Sequence, residues 1–413
     1  MTIADYVIRV SSSPLHISAT AWDALLAQQP HPTPFMRHTY LAALHTSGAA
    51  TPATGWTPRF ITLWRGDALV AACPLYLKTH SHGEYVFDWT WANAYAEHGL
   101  AYYPKALVAV PFTPVPGTRL MAVDAPARKA LMQALLDWSR QENLSSLHLL
   151  FESDEDLNAC EIAGLMLRHT VQFHWTNKKK PVRAEPVEAL DSPWTSSGRT
   201  VMHEGFGSFD DFLRSLSQDK RKKIKQERRK VEQAGVTFRH AQGTDITPAD
   251  WSFFYRCYER TYLEHGNPPY LSPDFFTSMA RAMPENWLLF VAEQDGQPIA
   301  SSLVALGADA GGDKVAYGRY WGALARVDCL HFEACYYQPL AWCIAHGYHR
   351  FEGGAQGEHK MARALLPVRS SSAHWLAHPA FAKAVENFLN REGQGVDNYL
   401  TELSDRSPLR RSV

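Results

Sequence analysis

The sequence lacks the apolar segments that would direct a chain into a membrane or out of the cell. No run of about 18 uncharged apolar residues occurs among its 413 residues, so we expect no membrane-spanning helix. The first residues also lack a basic stretch followed by a long apolar stretch, which argues against a signal peptide. We therefore expect a cytoplasmic protein.

Cysteine is scarce and is not arranged to bind a metal. The six cysteines form no C-x-x-C pair, and their spacing does not resemble that of a zinc site. In the cytoplasm such residues are typically buried, reduced thiols. We predict no metal site.

Four common catalytic signatures are also missing. The sequence contains no G-x-x-x-x-G-K-[ST] phosphate loop, no G-x-G-x-x-G fingerprint and no H-E-x-x-H zinc helix. It contains no G-x-S-x-G nucleophile elbow either. Nucleotide hydrolases, simple dehydrogenases, zincins and serine hydrolases are therefore disfavoured. The net charge of -1 provides no global field that would draw the chain to nucleic acid or membrane.

The length and the order of the predicted elements indicate two similar domains. A chain of 413 residues is too long for one ordinary core. In each half, helices come first, a strand meander follows, and a helix leads into a strand, which is typical of an α/β (α+β) fold with mixed sheets flanked by helices. We predict domains at residues 1–176 and 200–413. Residues 177–199 hold three prolines and a lysine triplet, a composition typical of a linker or inserted loop.

Residues 351–363 bring three glycines, two carboxylates, a histidine and two cations into one short segment. They follow a predicted strand and contain the adjacent glycines Gly353 and Gly354. Glycine allows a backbone to approach a ligand closely, and loops of this composition carry function more often than packing. The side chains that could transfer protons or stabilise charge there are Glu352, Glu358, His359, Lys360 and Arg363.

A run of cations lies in a predicted helix. Residues 220–230 hold eight cations and a single acid, in a helix that we expect to continue unbroken from residue 212 to residue 234. Its apolar residues fall near one stripe, which leaves the cations on the other faces. Two interpretations stay open: a solvated charged face, or a contact with a polyanion such as a carrier pyrophosphate or tRNA. The tRNA contact would use Lys220, Arg221, Lys222, Lys223, Arg228 and Arg229.

Two further segments are candidates for substrate binding. Residues 88–99 interleave acidic, aromatic and amide side chains without helical or strand periodicity, which suits either a cleft wall or a loop packed by its own aromatics. The second segment lies around the predicted strand 315–321, and each of its candidates has a structural alternative. The candidates of the first segment are Asp88, Trp91, Glu97 and His98, and those of the second are Arg319, Tyr320 and Glu333.

Six segments distributed over both halves together carry a family resemblance. They are residues 34–40, 71–78, 103–114, 209–213 with the basic run after them, 320–322 and 351–367. In these segments the chain resembles the FemAB-like family of peptidoglycan biosynthesis or recognition, within the wider GNAT acyltransferase superfamily. The resemblance implies two tandem GNAT-like domains that face a shared cleft. It also implies transfer of an acyl group from a thioester or an aminoacyl-tRNA ester to an amine.

The resemblance also implies a role for one lysine. In Fem transferases a Gly-Gly strand end leads to a lysine that stabilises charge at the acyl centre, and Lys360 is the matching residue, with Arg363 as a substitute. His359 stands where the family has phenylalanine. The pyrophosphate loop typical of GNAT proteins, Gln/Arg-x-x-Gly-x-Gly/Ala, is absent from the sequence.

Acyl transfer to an amine requires a base for the nucleophile and donors for the tetrahedral oxyanion. We hypothesise that Lys360 stabilises the oxyanion or the leaving group and that Glu352 or His359 is the base. Tyr320 would donate a hydrogen bond to the leaving thiolate or ribose oxygen. The acceptor amine would be bound by Asp88, Glu97 and His98.

Three functions remain open at this stage. The first is an N-acyltransferase with an acyl-CoA-type donor, and the second is a FemX-like ligase that uses aminoacyl-tRNA and a peptidoglycan precursor. The third is a binding module of the same fold without catalysis. We predict no permanently bound cofactor, because acyl-CoA or aminoacyl-tRNA would be the donor substrate.

Overall fold

The first half of the chain alternates short strands with helices. A computed structural model describes residues 2–3, 6–177, 205–354 and 357–410. In the first half its strands are β1 (Thr2–Ile3), β2 (Tyr6–Ser11), β3 (Trp56–Pro58), β4 (Phe60–Arg65), β5 (Ala68–Cys73), β6 (Leu75–Lys78), β7 (Lys105–Val108), β8 (Met121–Ala122), β9 (Ser146–Leu150) and β10 (Met166–Thr176). Its helices are α1 (Ala19–Leu26), α2 (His38–Thr46), α3 (Trp89–Glu97), α4 (Ala125–Gln141) and α5 (Asp154–Ile162).

The second half begins and ends with helices. Its helices are α6 (Phe209–Arg214), α7 (Gln218–Gln233), α8 (Pro248–Glu264), α9 (Pro273–Ala282), α10 (Leu330–Phe332), α11 (Gln338–Ala345) and α12 (Pro379–Asp405). A π-helical segment, Glu333–Tyr337, joins α10 to α11. The strands are β11 (Val236–Gln242), β12 (Trp287–Gln294), β13 (Gln297–Ala308), β14 (Lys314–Ala323), β15 (Arg350–Glu352) and β16 (Leu366–Leu376). Short 3-10 helices lie at Pro14–His16, Pro34–Met36, Pro52–Thr54, Gly243–Asp245, Pro284–Asn286 and Glu358–Arg363, the last of which we name the Lys360 turn.

The strands form two sheets. One has the order β1-β2-β4-β5-β8, and the other runs continuously through both halves in the order β11-β12-β13-β14-β15-β10-β16-β9-β7-β6-β3. Two neighbouring pairs in the large sheet, β7 with β9 and β14 with β15, are parallel. In each pair a helical crossover connects the strands, as a parallel connection requires. The predicted class, mixed α/β with sheets flanked by helices, is confirmed.

Strand β10 joins the two halves within the large sheet. It pairs with β16 from Met166↔His374 to His174↔Leu366, and its end pairs with β15. A strand from the first predicted domain is therefore inserted between two strands of the second. The predicted boundaries at 176 and 200 stay predictions, and residues 178–199 of the predicted linker lie outside the described residues.

The largest hydrophobic core is also shared. The edge of the Phe35 ring meets Tyr317 at a centroid distance of 5.4 Å, and Tyr40 meets Phe275 at 5.4 Å. Both contacts pair a residue of the first half with one of the second. Because these rings are buried, the halves cannot separate without exposing apolar surface.

Local capping chemistry explains where α8 begins. The Thr247 hydroxyl accepts the Asp250 N–H at 3.2 Å, and the Asp250 carboxylate accepts the Thr247 N–H at 3.0 Å. This capping box satisfies two backbone donors at the helix start, and Pro248 occupies the first position. Helix α8 carries part of the cleft wall at its other end.

The expectation of one unbroken helix over residues 212–234 is wrong. The chain leaves the helix after Arg214 and re-enters it at Gln218. At the break, the Ser217 N–H donates to Pro408 O at 3.0 Å and the Arg410 N–H donates to Ser215 O at 2.9 Å. The C-terminal segment thus takes over backbone bonds that a continuous helix would have made.

The expectation that residues 88–99 are aperiodic is also wrong, because Trp89–Glu97 form α3. Trp91 and Tyr95, four residues apart, are its buried residues. Aromatic and alanine residues also occupy the exposed face, which hides the helical period in the sequence.

Candidate functional site

A cleft of about 650 Å³ lies between the two halves. The first half contributes the loop before α3 and the segment after β7, and the second contributes the end of α8, β14 and the segment after β15. Both halves therefore wall it, as the resemblance implied. The lining residues are Ser81, His82, Gly83, Tyr85, Phe87, Trp89, Phe112, Pro114, Tyr262, His265, Asn267, Tyr270, Gly318, Arg319, Tyr320, Gly353, Gly354 and Lys360.

Lys360 lines this cleft from the Lys360 turn. Its Nζ donates to Gly354 O at 2.9 Å, and the residue is only 4% exposed. Burial lowers the pKa of Lys360 to about 8. The side chain is thus mainly an ammonium at neutral pH, and it loses its proton far more easily than a surface lysine.

The two glycines beside Lys360 are required by space and by backbone conformation. A Cβ at Gly353 would lie 2.4 Å from Leu365 Cδ2, and Gly354 has φ +84°. A side chain at either position would move the backbone that holds the lysine. Close approach of this backbone to a ligand stays a prediction.

Arg319 and Tyr320 reach the cleft from β14. Arg319 Nη2 donates to Phe112 O at 2.9 Å and to Tyr320 Oη at 3.1 Å. Its guanidinium also lies 5.0 Å from the centre of the Phe35 ring. The arginine therefore anchors the tyrosine hydroxyl to the backbone of the first half.

A smaller cavity opens where β14 and β15 part. Their parallel pairing ends at Tyr317↔Glu352. Beyond it a cavity of about 130 Å³ is lined by Gly318, Tyr320, Cys335 and Gly353, among others. Because Gly318, Tyr320 and Gly353 also line the large cleft, the two spaces meet beside Lys360.

The described lining of the large cleft carries positive charge and aromatic faces and contains no carboxylate. Lys360 and Arg319 are its cations, and seven of its members are tyrosine, phenylalanine or tryptophan side chains. Phe112 and Tyr270 stack with centroids 4.7 Å apart. The two cations can bind an anionic group of a ligand, and the aromatic rings can pack against its apolar faces.

The two base candidates do not line the cleft. Glu352 is buried at 5% exposure, and its carboxylate accepts from Arg350 Nε at 2.9 Å. His359 lies on the exposed side of the Lys360 turn, with Nε2 3.1 Å from the Tyr336 hydroxyl. The structure thus brings Lys360, Arg319, Tyr320, Gly353 and Gly354 together and leaves these two outside.

Arg363 and Glu333 are bound to α7 rather than exposed in the cleft. Arg363 Nη2 contacts both carboxylate oxygens of Glu227, at 3.0 and 2.9 Å. Glu333 pairs with Arg228 at 3.0 Å. Substrate binding by Arg363 or Glu333 stays a prediction. In the structure, both side chains are paired with residues of α7.

The four candidates of residues 88–99 are not among the residues that line the cleft. Asp88 is 2% exposed, forms an ion pair with Lys105 and accepts the Tyr102 hydroxyl at 2.7 Å. Burial opposes its charge, but Lys105 holds the pKa of the Asp88 carboxyl well below its usual range. Trp91 packs on His374, and the exposed Glu97 and His98 lie at the far end of α3.

Helix α7 separates its charges by face. Ile224, Glu227 and Val231 are buried on the inner side. Of the six cations predicted to contact tRNA, Lys222, Lys223 and Arg229 are exposed, while Lys220, Arg221 and Arg228 are partly buried. The outer face is therefore a cationic surface.

Most aromatic members of the cleft were missed by sequence reasoning. Tyr85, Tyr262 and Tyr270 come from two segments that are distant in sequence. The one local signal was the density of tyrosine in and after α8. A second missed residue, Glu227, is the single acid in the basic run.

Among the described residues, no group of three or more histidine, cysteine or carboxylate side chains is placed to bind a metal ion. The helices in the described ranges do not combine the length and apolar character needed to cross a membrane.

Comparisons with solved structures show the fold. FemX aligns over 90% of this chain and 99% of its own, at 11% identity and a TM-score of 0.51. L-PGS from Bacillus licheniformis aligns over 92% and 99%, at 10% identity and 0.52. The C-terminal domain (DUF2156) of the Putative Lysylphosphatidylglycerol Synthetase from Agrobacterium fabrum aligns over 89% of this chain and 94% of its own, at 11% identity and a TM-score of 0.51. The predicted two-domain GNAT-like fold is confirmed.

Sequence comparison with curated proteins finds no significant match. The family model for FemAB-like proteins, described as peptidoglycan biosynthesis/recognition, matches residues 13–193 and 183–411. These two matches together cover nearly the whole chain, one in each half. The chain therefore belongs to the FemAB-like family.

Proposed function

We propose that this protein transfers an acyl or aminoacyl group to an amine that is held in the cleft. The observation that carries the proposal is the position of Lys360. Its ammonium lines the cleft where the cavity between β14 and β15 opens, beside Arg319 and Tyr320. Family membership supports an acceptor of the peptidoglycan-precursor type.

The reaction assigns each group a task. The neutral amine attacks the carbonyl carbon, a C–N bond forms, and the C–S or C–O bond to the donor breaks after the amine has lost a proton. The Lys360 ammonium stabilises the tetrahedral oxyanion, a contribution of about 3 kcal/mol for one such donor. Tyr320 donates to the departing sulfur or oxygen. We propose Glu352 or His359 as the base that takes the proton of the amine. Because neither lines the cleft, each would have to act through water.

The cleft lining supports an anionic acceptor. With no carboxylate in its described lining, the cleft leaves the charge of Arg319 available to an anionic group of the acceptor. Its aromatic faces would hold sugar or peptide surfaces. Binding of the acceptor amine by Asp88 is poorly supported, because Lys105 and Tyr102 already occupy that carboxylate.

An acyl-CoA-type thioester is the first candidate donor, with its acyl end in the cavity between β14 and β15. Aminoacyl-tRNA is the second, and the exposed cations of α7 favour it, because phosphate contacts of this kind supply most of the affinity for nucleic acid. Both donors are cytoplasmic, so a cytoplasmic site of action is part of the proposal.

Native mass spectrometry of the purified protein, followed by a transfer assay, tests the proposal. We expect a co-purified acyl-CoA or tRNA. We also expect radiolabel from that donor to appear on an amine of a muropeptide precursor. A tRNA donor predicts affinity that falls steeply between about 50 and 200 mM salt. Precursor binding without label transfer from either donor would contradict the proposal and select the non-catalytic module.

A further inference from the structure

The single acid of the basic run is buried where an unpaired charge would be costly. Glu227 is 8% exposed and lies on the inner face of α7 between Ile224 and Val231. Its carboxylate accepts two bonds from Arg363 Nη2, at 3.0 and 2.9 Å, and a third from the Tyr337 hydroxyl. A buried carboxylate needs such partners to remain charged.

Arg363 carries this attachment into the Lys360 turn. It is 2% exposed, and its Nη1 donates to His359 O at 2.6 Å. Its guanidinium lies 3.4 Å over the Phe332 ring. One side chain thus connects α7, helix α10 and the backbone of the residue that precedes Lys360.

A second ion pair holds α7 against the π-helical segment. Arg228 pairs with Glu333 at 3.0 Å, and Gln338 Nε2 donates to Glu333 at 2.8 Å. This pair does not contact the Lys360 turn. Glu227 and Arg228, which are consecutive in α7, therefore both hold the helix in place. Of these two residues, Glu227 also holds the Lys360 turn.

We propose that Glu227 is a positioning residue that holds the Lys360 turn at the cleft through Arg363. Helix α7 then carries a cationic surface on its outer face and, on its inner face, the Glu227 carboxylate that holds the Lys360 turn. The importance of Lys360 for transfer rests on the proposed function, whereas the positioning itself does not.

The reactivity of the Lys360 amine reports its position without any substrate. Brief acetylation with acetic anhydride at a series of pH values, read by mass spectrometry of the Lys360 peptide, gives a midpoint. In the unmodified chain we expect this midpoint near pH 8, because burial lowers the pKa of Lys360 to about that value. The titratable groups that face Lys360 are Cys335, His331, His359 and His174.

Glu227→Gln removes the charge that holds Arg363. The turn then loosens, Lys360 becomes hydrated, and the midpoint rises by at least about one pH unit toward the ordinary lysine value. Arg363→Gln should give at least the same rise, because it also removes the bond to His359 O. The double variant should add nothing beyond Arg363→Gln, since both changes break the pair between Glu227 and Arg363. Glu227→Asp should restore part of the shift.

Arg239→Gln is the matched control, because it breaks two ion pairs of the same half, with Asp250 at 2.6 Å and Glu293 at 2.7 Å. It should leave the midpoint unchanged. An unchanged midpoint in folded Glu227→Gln, or an equal shift in Arg239→Gln, would overturn the proposal. If Glu227→Gln does not fold, Tyr337→Phe, which removes one bond to Glu227, must still raise the midpoint by a few tenths of a unit.

The two proposals fail separately. A normal transfer rate in Lys360→Met together with a shifted midpoint in Glu227→Gln would overturn the proposed function and support the positioning. A loss of transfer in Lys360→Met with an unshifted midpoint in Glu227→Gln would do the reverse.

Discussion

The parallel strand pairs of the two halves share a topology but differ at their ends. Beyond the end of β9, the segment around Gly117 lies alongside the chain. The Gly117 N–H donates to Phe151 O at 3.0 Å, and Gly117 pairs in parallel with Glu152. Beyond β15 the described chain makes no such return to β14, and a cavity opens at Gly318 and Gly353. In the described ranges, one end is therefore occupied by backbone and the other opens into a cavity.

The charges at the two ends follow the same division. Near β9, the buried Asp156 accepts the N–H groups of Arg119 and Leu120 and pairs with Arg128 at 3.2 Å. Near β15, Lys360 bonds only to a carbonyl oxygen among the described polar partners. Buried charge in an ion pair stabilises the first half, whereas a cation with spare hydrogen-bonding capacity can act on a ligand. A duplicated topology thus gives one structural end and one candidate site.

The largest effect is expected from a substitution at the end of β9. Asp156→Ala leaves Arg128 and two backbone donors without their buried partner, and we expect a loss of about 3–5 kcal/mol in the free energy of unfolding. Urea denaturation measures it. The exposed pair Asp137–Arg140 supplies the control, because Asp137→Ala should cost about 1 kcal/mol or less. A similar small loss in Asp156→Ala would remove the contrast between the ends.

The next effect concerns the accessible end. Lys360→Met removes one oxyanion donor, and we expect the transfer rate to fall about 100- to 1000-fold while the fold is retained. Initial rates with the identified donor and circular dichroism check the two parts. Lys314→Met, which replaces an exposed lysine of β14, should keep the rate. An unchanged rate in Lys360→Met would show that the end of β15, like the end of β9, has no catalytic role.

The pH dependence sharpens the role of the lysine. An ammonium with a pKa of about 8 is mostly charged at pH 7 and mostly neutral at pH 9, so a cationic role predicts a rate that falls above pH 8. A role as base would instead give a rate that rises through pH 8. Lys360→Arg stays charged throughout and should lose the falling limb. Rate profiles from pH 6 to 10 distinguish these outcomes.

The smallest effect is expected from a substitution that fills the cavity at the end of β15. Gly353→Ala places a Cβ 2.4 Å from Leu365 and 3.5 Å from Lys360 Cδ. We expect a rate lowered up to about tenfold and a stability loss of about 1–3 kcal/mol from overpacking. Gly393→Ala in α12 meets no atom within 4 Å and should leave the rate unchanged. Full activity of Gly353→Ala would show that this opening is not used.

Sequence patterns located the local part of the site and missed the distant part. Gly353, Gly354 and Lys360 were found because they are neighbours in one segment. Tyr85 and Tyr262 were missed because a cleft between two halves joins segments that no local pattern relates. Helix α3 was missed because aromatic and alanine residues also occupy its exposed face, which hides the helical period. Glu227 offered a signal that could have been used, because it is an acid on the apolar stripe of a basic helix.

The sequence by itself determined the fold class, the two similar halves, the family and the segment that carries Lys360. These depend on periodicity, composition and short motifs, which are local. Only the tertiary structure decided that β10 enters the sheet of the other half and that the end of β9 is closed while the end of β15 is open. It also placed Asp88 in a buried ion pair and Glu227 behind the lysine. Such facts depend on contacts between residues far apart in the chain, where burial decides whether a charge is a partner or a reactive group.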